Sequence, residues 1–261
     1  MASPPSPASS SPSPVRTTAA PTASVATRVL GGLSLVMLAV TVLLALVITP
    51  ADVVQGEAVR LMYAHLPTIW VAYGSFAAAA VASALYLWPR TRRRHWDRVA
   101  GATAEVGTVF TALCLATGML WGRITWGVYW QWDARLTTTL LLFVVYLGYL
   151  AVRRLPAEPV VRSRRSAITA LIAVVNIVIV RYSVDWWNTL HQKASLTATD
   201  PEITGEMLGA LLFSLATFTV LASWLIVHRY RLIRLEELRD EEGLQRAITE
   251  RRAEAGLGVA G

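Results

Sequence analysis

The stretch Trp121-Gly122-Arg123-Ile124-Thr125-Trp126-Gly127-Val128-Tyr129-Trp130-Gln131-Trp132-Asp133-Ala134-Arg135-Leu136-Thr137 lies between two membrane-length apolar runs. It holds four of the chain's ten tryptophans within twelve residues. One short loop cannot bury indole rings at that density. The segment therefore faces either a membrane interface or a large flat ligand.

Working outward, the flanking runs are 101–120 and 136–152, and four more occur at 28–49, 68–88, 167–184 and 207–228. Crossing the hydrocarbon core takes roughly 20 apolar residues as a helix, so the sequence predicts an all-α integral membrane protein with six transmembrane helices. The composition agrees: 54% of the 261 residues are hydrophobic and 16% charged, against about a quarter charged in soluble domains. Irregular backbone cannot face lipid, which places the tryptophan segment at a membrane surface or under protein. The net charge of +7 comes from arginines gathered in short clusters beside apolar runs. That is the pattern of topology determinants and not of a nucleic-acid surface. The single cysteine, Cys114, excludes an intramolecular disulfide. There is neither a C-x-x-C-H haem-attachment motif nor a P-loop, so the chain is not itself a c-type cytochrome and does not hydrolyse ATP through a P-loop.

Residues 1–27, rich in Ser, Pro, Ala and Thr, are expected to form a disordered cytoplasmic tail. The run that follows reads as a retained anchor, because it is longer than a signal core and lacks a small-x-small cleavage site. Residues 28–228 form the membrane domain and 229–261 a charged cytoplasmic tail. In that tail Arg234 and Glu237, and Arg239 and Glu242, are spaced for i,i+3 pairing on a helix.

Orientation follows from the basic residues. Linker 89–100 carries Arg90, Arg92, Arg93, Arg94 and Arg98, linker 153–166 carries Arg153, Arg154, Arg162, Arg164 and Arg165, and the last segment opens with Arg229, Arg231 and Arg234. The alternate loops hold only Arg60, Arg123, Arg135 and Lys193. The positive-inside rule makes both termini cytoplasmic and turns the tryptophan segment outward. Trp70, Trp121, Trp126, Trp130, Trp132, Trp186 and Trp187 then sort to the outer side, and Trp88, Trp96 and Trp224 to the inner one. Anchoring alone would populate both interfaces. Trp126, Tyr129, Trp130 and Asp133 recur at i, i+3, i+4 and i+7, which predicts a short amphipathic helix along the outer surface.

Of four histidines, His95 and His228 sit among cytoplasmic charges, whereas His65 and His191 emerge on the outer side. His65 precedes Pro67, expected at the first turn of helix two. Two histidines at matching depth beside an aromatic platform suit a haem, a flat apolar macrocycle whose iron takes two axial donors and whose propionates are anionic. The platform would comprise Trp121, Gly122, Trp126, Tyr129, Trp130, Trp132, Asp133, Trp186 and Trp187. Arg60, Arg123, Arg135 and Arg181 are the candidates for propionate recognition.

These segments resemble the CcmC-type haem-handling proteins of bacterial cytochrome c maturation, also called haem exporter protein C. Trp121-Gly122 through Trp126-Gly127, Trp130, Trp132-Asp133 and Arg135-Leu136-Thr137 are similar to that family's "WWD" segment. Arg60-Leu61-Met62-Tyr63-Ala64-His65-Leu66-Pro67 and Trp186-Trp187-Asn188-Thr189-Leu190-His191-Gln192 resemble its two histidine regions. Tyr129 departs from the pattern, standing where relatives usually have tryptophan. The resemblance covers roughly residues 30–230. It implies haem b held by His65 and His191 on the outer face of a bacterial cytoplasmic membrane, then passed to a periplasmic CcmE-type chaperone. It further implies work beside a CcmA-type ATPase, a CcmB-type membrane subunit and a small CcmD-type protein. No nucleophile–base pair accompanies Asp133, so a presenting component is expected and not an enzyme. Two other readings remain at this point: a transporter moving haem through its own bundle, and a haem-containing membrane redox protein.

Overall fold

The computed structural model describes residues 24–191, 203 and 205–257. Regular structure among them is helical, apart from an isolated bridge between Asp52 and Gly56. Helix α1 (Val25–Leu43) ends in a π-helical segment, Leu44–Ile48, and a 3-10 turn, Glu57–Leu61, leads into α2 (Met62–Leu87). Then come α3 (Arg94–Trp126), α4 (Ala134–Arg154), α5 (Pro159–Ala173), α6 (Val175–Trp186) and α7 (Gly205–Leu257). α5 and α6 are separated only by a turn at Val174 and together make one membrane-length unit. Among the described residues, six helical units are thus long and apolar enough to cross a membrane.

The centre of the bundle is built from α2 and α3. Ala72, Ala79 and Ala104 are fully buried between them, and small side chains let helices approach closely in an apolar medium. Phe76 stacks on Tyr146 of α4, with ring centroids 3.5 Å apart. α1 packs mainly on α7, where Thr41 and Thr217 share a buried hydrogen bond of 2.9 Å. The valines and leucines of its other face are exposed, as suits a helix turned to lipid.

Two helices differ from expectation in ways that shape the site. Helix two begins at Met62 and not near residue 68, so Pro67 lies in the helix interior. An interior proline supplies no N–H to the carbonyl four residues earlier, here Tyr63. Ser214 of α7 donates its hydroxyl to that carbonyl at 2.6 Å, which lets the helix run through the proline. Second, the expected surface helix over Trp126 to Asp133 does not form. α3 continues through Trp126 and stops at Gly127, whose φ of 79° is the left-handed C-terminal conformation that favours glycine. α4 then starts at Ala134 with Asp133 as its N-cap, accepting the Leu136 amide at 2.8 Å.

Val25 to Thr27 of the expected N-terminal tail belong to α1, and residues 1–23 lie outside the described residues. At the other end α7 carries on as helix through the charged segment to Leu257. Glu237 pairs with Arg98 of α3 at 2.9 Å and not with Arg234, because the α7 extension lies alongside the start of α3. Arg94 meets Glu241 and Arg229 meets Glu105 along the same seam. Nearby, Arg153 of α4 binds Asp97 through two contacts, 2.8 and 3.2 Å, both side chains being largely buried.

Candidate functional site

At the end of the bundle opposite this arginine-rich seam, a cavity of about 570 Å³ opens between the starts of α2 and α4, the end of α3 and the segment after α6. His65 and His191 both line it, together with Trp121, Gly122, Trp126 and Arg135. A smaller cavity of about 140 Å³ continues deeper, shares both histidines and Arg135, and adds Tyr73, Cys114 and Arg181. The larger volume falls within the roughly 300–1,000 Å³ typical of small-molecule sites.

His65 is carried by the helix that runs through Pro67, which fixes it more firmly than the loop expected there. Its ring lies against Gly118 of α3, where a Cβ would come within 2.9 Å of the ring's Cε1. His65 Nδ1 is 3.1 Å from the Thr117 hydroxyl oxygen. Thr117 directs its one proton to the Leu113 carbonyl at 2.8 Å, so its oxygen is the acceptor and His65 Nδ1–H the donor. That tautomer leaves Nε2 with its lone pair.

His191 reaches the same condition by another route. Its Nδ1 is 2.9 Å from Asp133 Oδ2. Asp133 also accepts the Thr189 hydroxyl at 2.6 Å on that oxygen and the Leu136 amide on the other. Burial works to raise the Asp133 pKa, but the Thr189, Leu136 and His191 hydrogen bonds outweigh it and hold the carboxyl below its usual range. Burial pushes the His191 pKa down, against the pull of Asp133. A neutral ring donating Nδ1–H to a carboxylate again leaves Nε2 free, the usual arrangement of a metal-binding histidine.

A tryptophan stands edge-on to each histidine. Trp121 lies 5.6 Å from His65 and Trp126 4.7 Å from His191, centroid to centroid. The loop before α2 is tied over the cavity by Gln55 Oε1, which accepts Trp121 Nε1–H at 2.9 Å. Gly122 is buried at the base of this wall.

The other expected platform residues lie outside the cavity lining. Tyr129 is exposed under the guanidinium of Arg123, and Trp130 meets Trp132 edge-to-face in the α3–α4 loop. Trp186 stacks on Tyr182 and touches Trp187, both tryptophans being about half exposed. The arginines divide likewise. Arg60 donates to the carbonyls of Ala45 and Thr49 and pairs with Glu57, and Arg123 donates to the Gly127 carbonyl. Arg135 lines both cavities and Arg181 the deeper one. Arg135 Nη2 donates to the Arg181 carbonyl at 3.4 Å, while its buried Nε has no partner among the described residues. A guanidinium with an unpaired Nε beside the histidines is suited to recognise an anion.

Thr117, Gly118, Cys114 and Thr189 complete the surroundings of the histidines; of these only Thr189 falls in a stretch the sequence singles out. The first three sit inside an apolar run, and only the contact with α2 gives them meaning.

Six membrane-length helical units with a ligand-sized cavity at one end define a multi-pass membrane protein with a candidate small-molecule site beside two histidines. Comparison with known proteins narrows this. The family model described as "Heme exporter protein C" matches residues 12–245. The protein of that name from Haemophilus influenzae is 41% identical over 209 residues, 78% of this chain and 83% of its own. That of Escherichia coli K12 is 38% identical over 192 residues, 73% of this chain and 76% of its own. A putative cytochrome c biosynthesis ccmC-like mitochondrial protein of Arabidopsis thaliana is 35% identical over 225 residues, 83% and 85% of the two chains. The chain belongs to the haem exporter protein C family, which makes it a haem-handling protein of cytochrome c maturation.

Proposed function

We propose that the protein takes haem b as cargo, with His65 Nε2 and His191 Nε2 as the two axial ligands of the iron. One observation carries this reading: two histidines on separate elements, each with Nδ1 engaged by a wall acceptor, face one cavity flanked by Trp121 and Trp126. The indoles supply apolar contact for the macrocycle, and Arg135, backed by Arg181, supplies the charge for a propionate. The protein presents the haem without transforming it, and its contribution to transfer is positioning.

The clustering of arginines at the opposite end supports a cytoplasmic location for that end and both termini. The histidine end then faces the periplasm from a bacterial cytoplasmic membrane. The acceptor is a CcmE-type haem chaperone, and the protein works in a complex with a CcmA-type ATPase, a CcmB-type membrane subunit and a CcmD-type single-span protein.

The test is the visible spectrum of the purified, detergent-solubilised protein beside His65→Ala and His191→Ala. The expected result is a low-spin spectrum in the parent that is lost or turned high-spin in each variant. A parent that takes up no haem, or a spectrum indifferent to both substitutions, would sink the proposal.

A further inference from the structure

The two histidines are held by acceptors of unlike strength. A carboxylate backs His191, at 2.9 Å, and a hydroxyl oxygen backs His65, at 3.1 Å. A hydrogen bond to an ionised acceptor is shorter and roughly twice as strong as one between neutral groups. Passed through the ring, it gives the far nitrogen more electron density and makes it the better donor to a metal. We infer that the pair is built unequal: His191, backed by Asp133, is the retained ligand, and His65, backed by Thr117, is the ligand that yields when an incoming donor takes its place. This rests on the axial-ligand reading above and adds the order in which the two bonds give way.

The position of each element agrees with this division. His65 is fixed on α2 and packed against Gly118. It cannot follow a departing haem, so its bond to the iron breaks as soon as the cargo shifts. His191 lies beyond the end of α6, and among the described residues its hydrogen bonds run to Asp133 and Thr189. It can accompany the iron over a short displacement.

Thr189 gives the inference an internal control. Its hydroxyl donates to Asp133 Oδ2, the same oxygen that receives His191 Nδ1–H. Removing the hydroxyl leaves that oxygen to His191 alone and frees the His191 amide that the hydroxyl accepts at 3.1 Å. Asp133→Asn and Thr189→Val therefore act on the ligand in opposite senses, whereas damage to a scaffold would displace His191 in both. In Asp133→Asn the side-chain amide oxygen would still cap α4 while the amide NH2 would stand opposite His191 Nδ1, so the variant takes the carboxylate acceptor from His191 and leaves the helix end in place.

The experiment measures the haem midpoint potential by spectroscopic titration in the full-length, haem-loaded protein and its variants. A stronger donor favours ferric iron, so Asp133→Asn raises the potential and Thr189→Val lowers it. Thr117→Val shifts it less than Asp133→Asn does, and Thr117→Ser restores the parent value. In a second arm, His65→Gly keeps its haem through purification as a five-coordinate species that returns to low-spin with added imidazole. His191→Gly loses most of its haem. Potentials moving the same way in Asp133→Asn and Thr189→Val, or equal haem loss in the two glycine variants, overturn the inequality while leaving bis-histidine binding intact. A parent without a histidine-dependent low-spin spectrum overturns the haem reading itself, and this inference with it.

Discussion

Gly118 and His65 are in direct contact across the α2–α3 interface, so the backbone of α3 serves as the floor for a candidate ligand ring. A methyl group at 118 would sit 2.9 Å from His65 Cε1, closer than side chains approach one another. Gly118→Ala is thus expected to rotate His65 out of place without unfolding the bundle, because alanine is the better helix former. The measurement is haem retention and spin state beside the thermal unfolding midpoint. An unchanged low-spin spectrum in Gly118→Ala would remove His65 from the ligand set or show that its ring has room to move.

Ser214→Ala uncovers the Tyr63 carbonyl that Pro67 leaves without a helical partner. A buried, unsatisfied carbonyl costs about 1–3 kcal/mol, and we expect a loss of that order in thermal unfolding in detergent. Pro67→Ala restores the N–H to the helix, so the cost of Ser214→Ala shrinks in the Pro67→Ala background. Equal costs in both backgrounds would show that the serine acts elsewhere.

Asp97 and Arg153 form a largely buried pair with two contacts. Removing one partner strands the other charge, at a cost of about 3–5 kcal/mol. Asp97→Ala should therefore destabilise the protein strongly, and the double variant with Arg153→Leu should recover part of the loss. A double variant worse than either single one would contradict this account.

Acid should loosen the histidine end of the ligand-free protein. The His191 pKa is lowered by burial, so below its unfolded value, roughly 6.5, the unfolded chain binds the proton more readily and stability falls with pH. The Asp133 pKa is also lowered, and its contribution is present above roughly 3.9 and fades as pH drops through the folded value. Hydrogen exchange at the backbone amides of Trp187 and His191 should rise as pH falls below about 6.5, beyond the intrinsic pH effect. His191→Gln should flatten the upper part of that rise; an unaltered profile would place the titration elsewhere.

The six spans are legible because a membrane demands long apolar runs and the chain supplies them with arginine clusters between. The ends of the helices are harder to read. The i, i+3, i+4, i+7 spacing from Trp126 to Asp133 suggests a helix, yet Gly127 and Asp133 carry competing stop and start signals, and those local signals win. Pro67 reads as a helix start because the serine that takes up the carbonyl it leaves open lies 151 positions beyond Tyr63 in the chain. His65 and His191 can be paired from their shared side, but their different acceptors cannot, since Thr117 and Asp133 meet them only through tertiary packing. Arg60 and Arg123 have the charge a propionate needs, but the fold spends them on backbone carbonyls.

Asp133 closes the first turn of α4 with one oxygen and holds His191 with the other. During membrane insertion, a copy of α4 placed one turn out of register would shift this carboxylate by about 5.4 Å. His191 would then lose its anchor. A misthreaded chain would in this way also leave His191 unset, so that correct insertion of α4 and assembly of the candidate site are a single event.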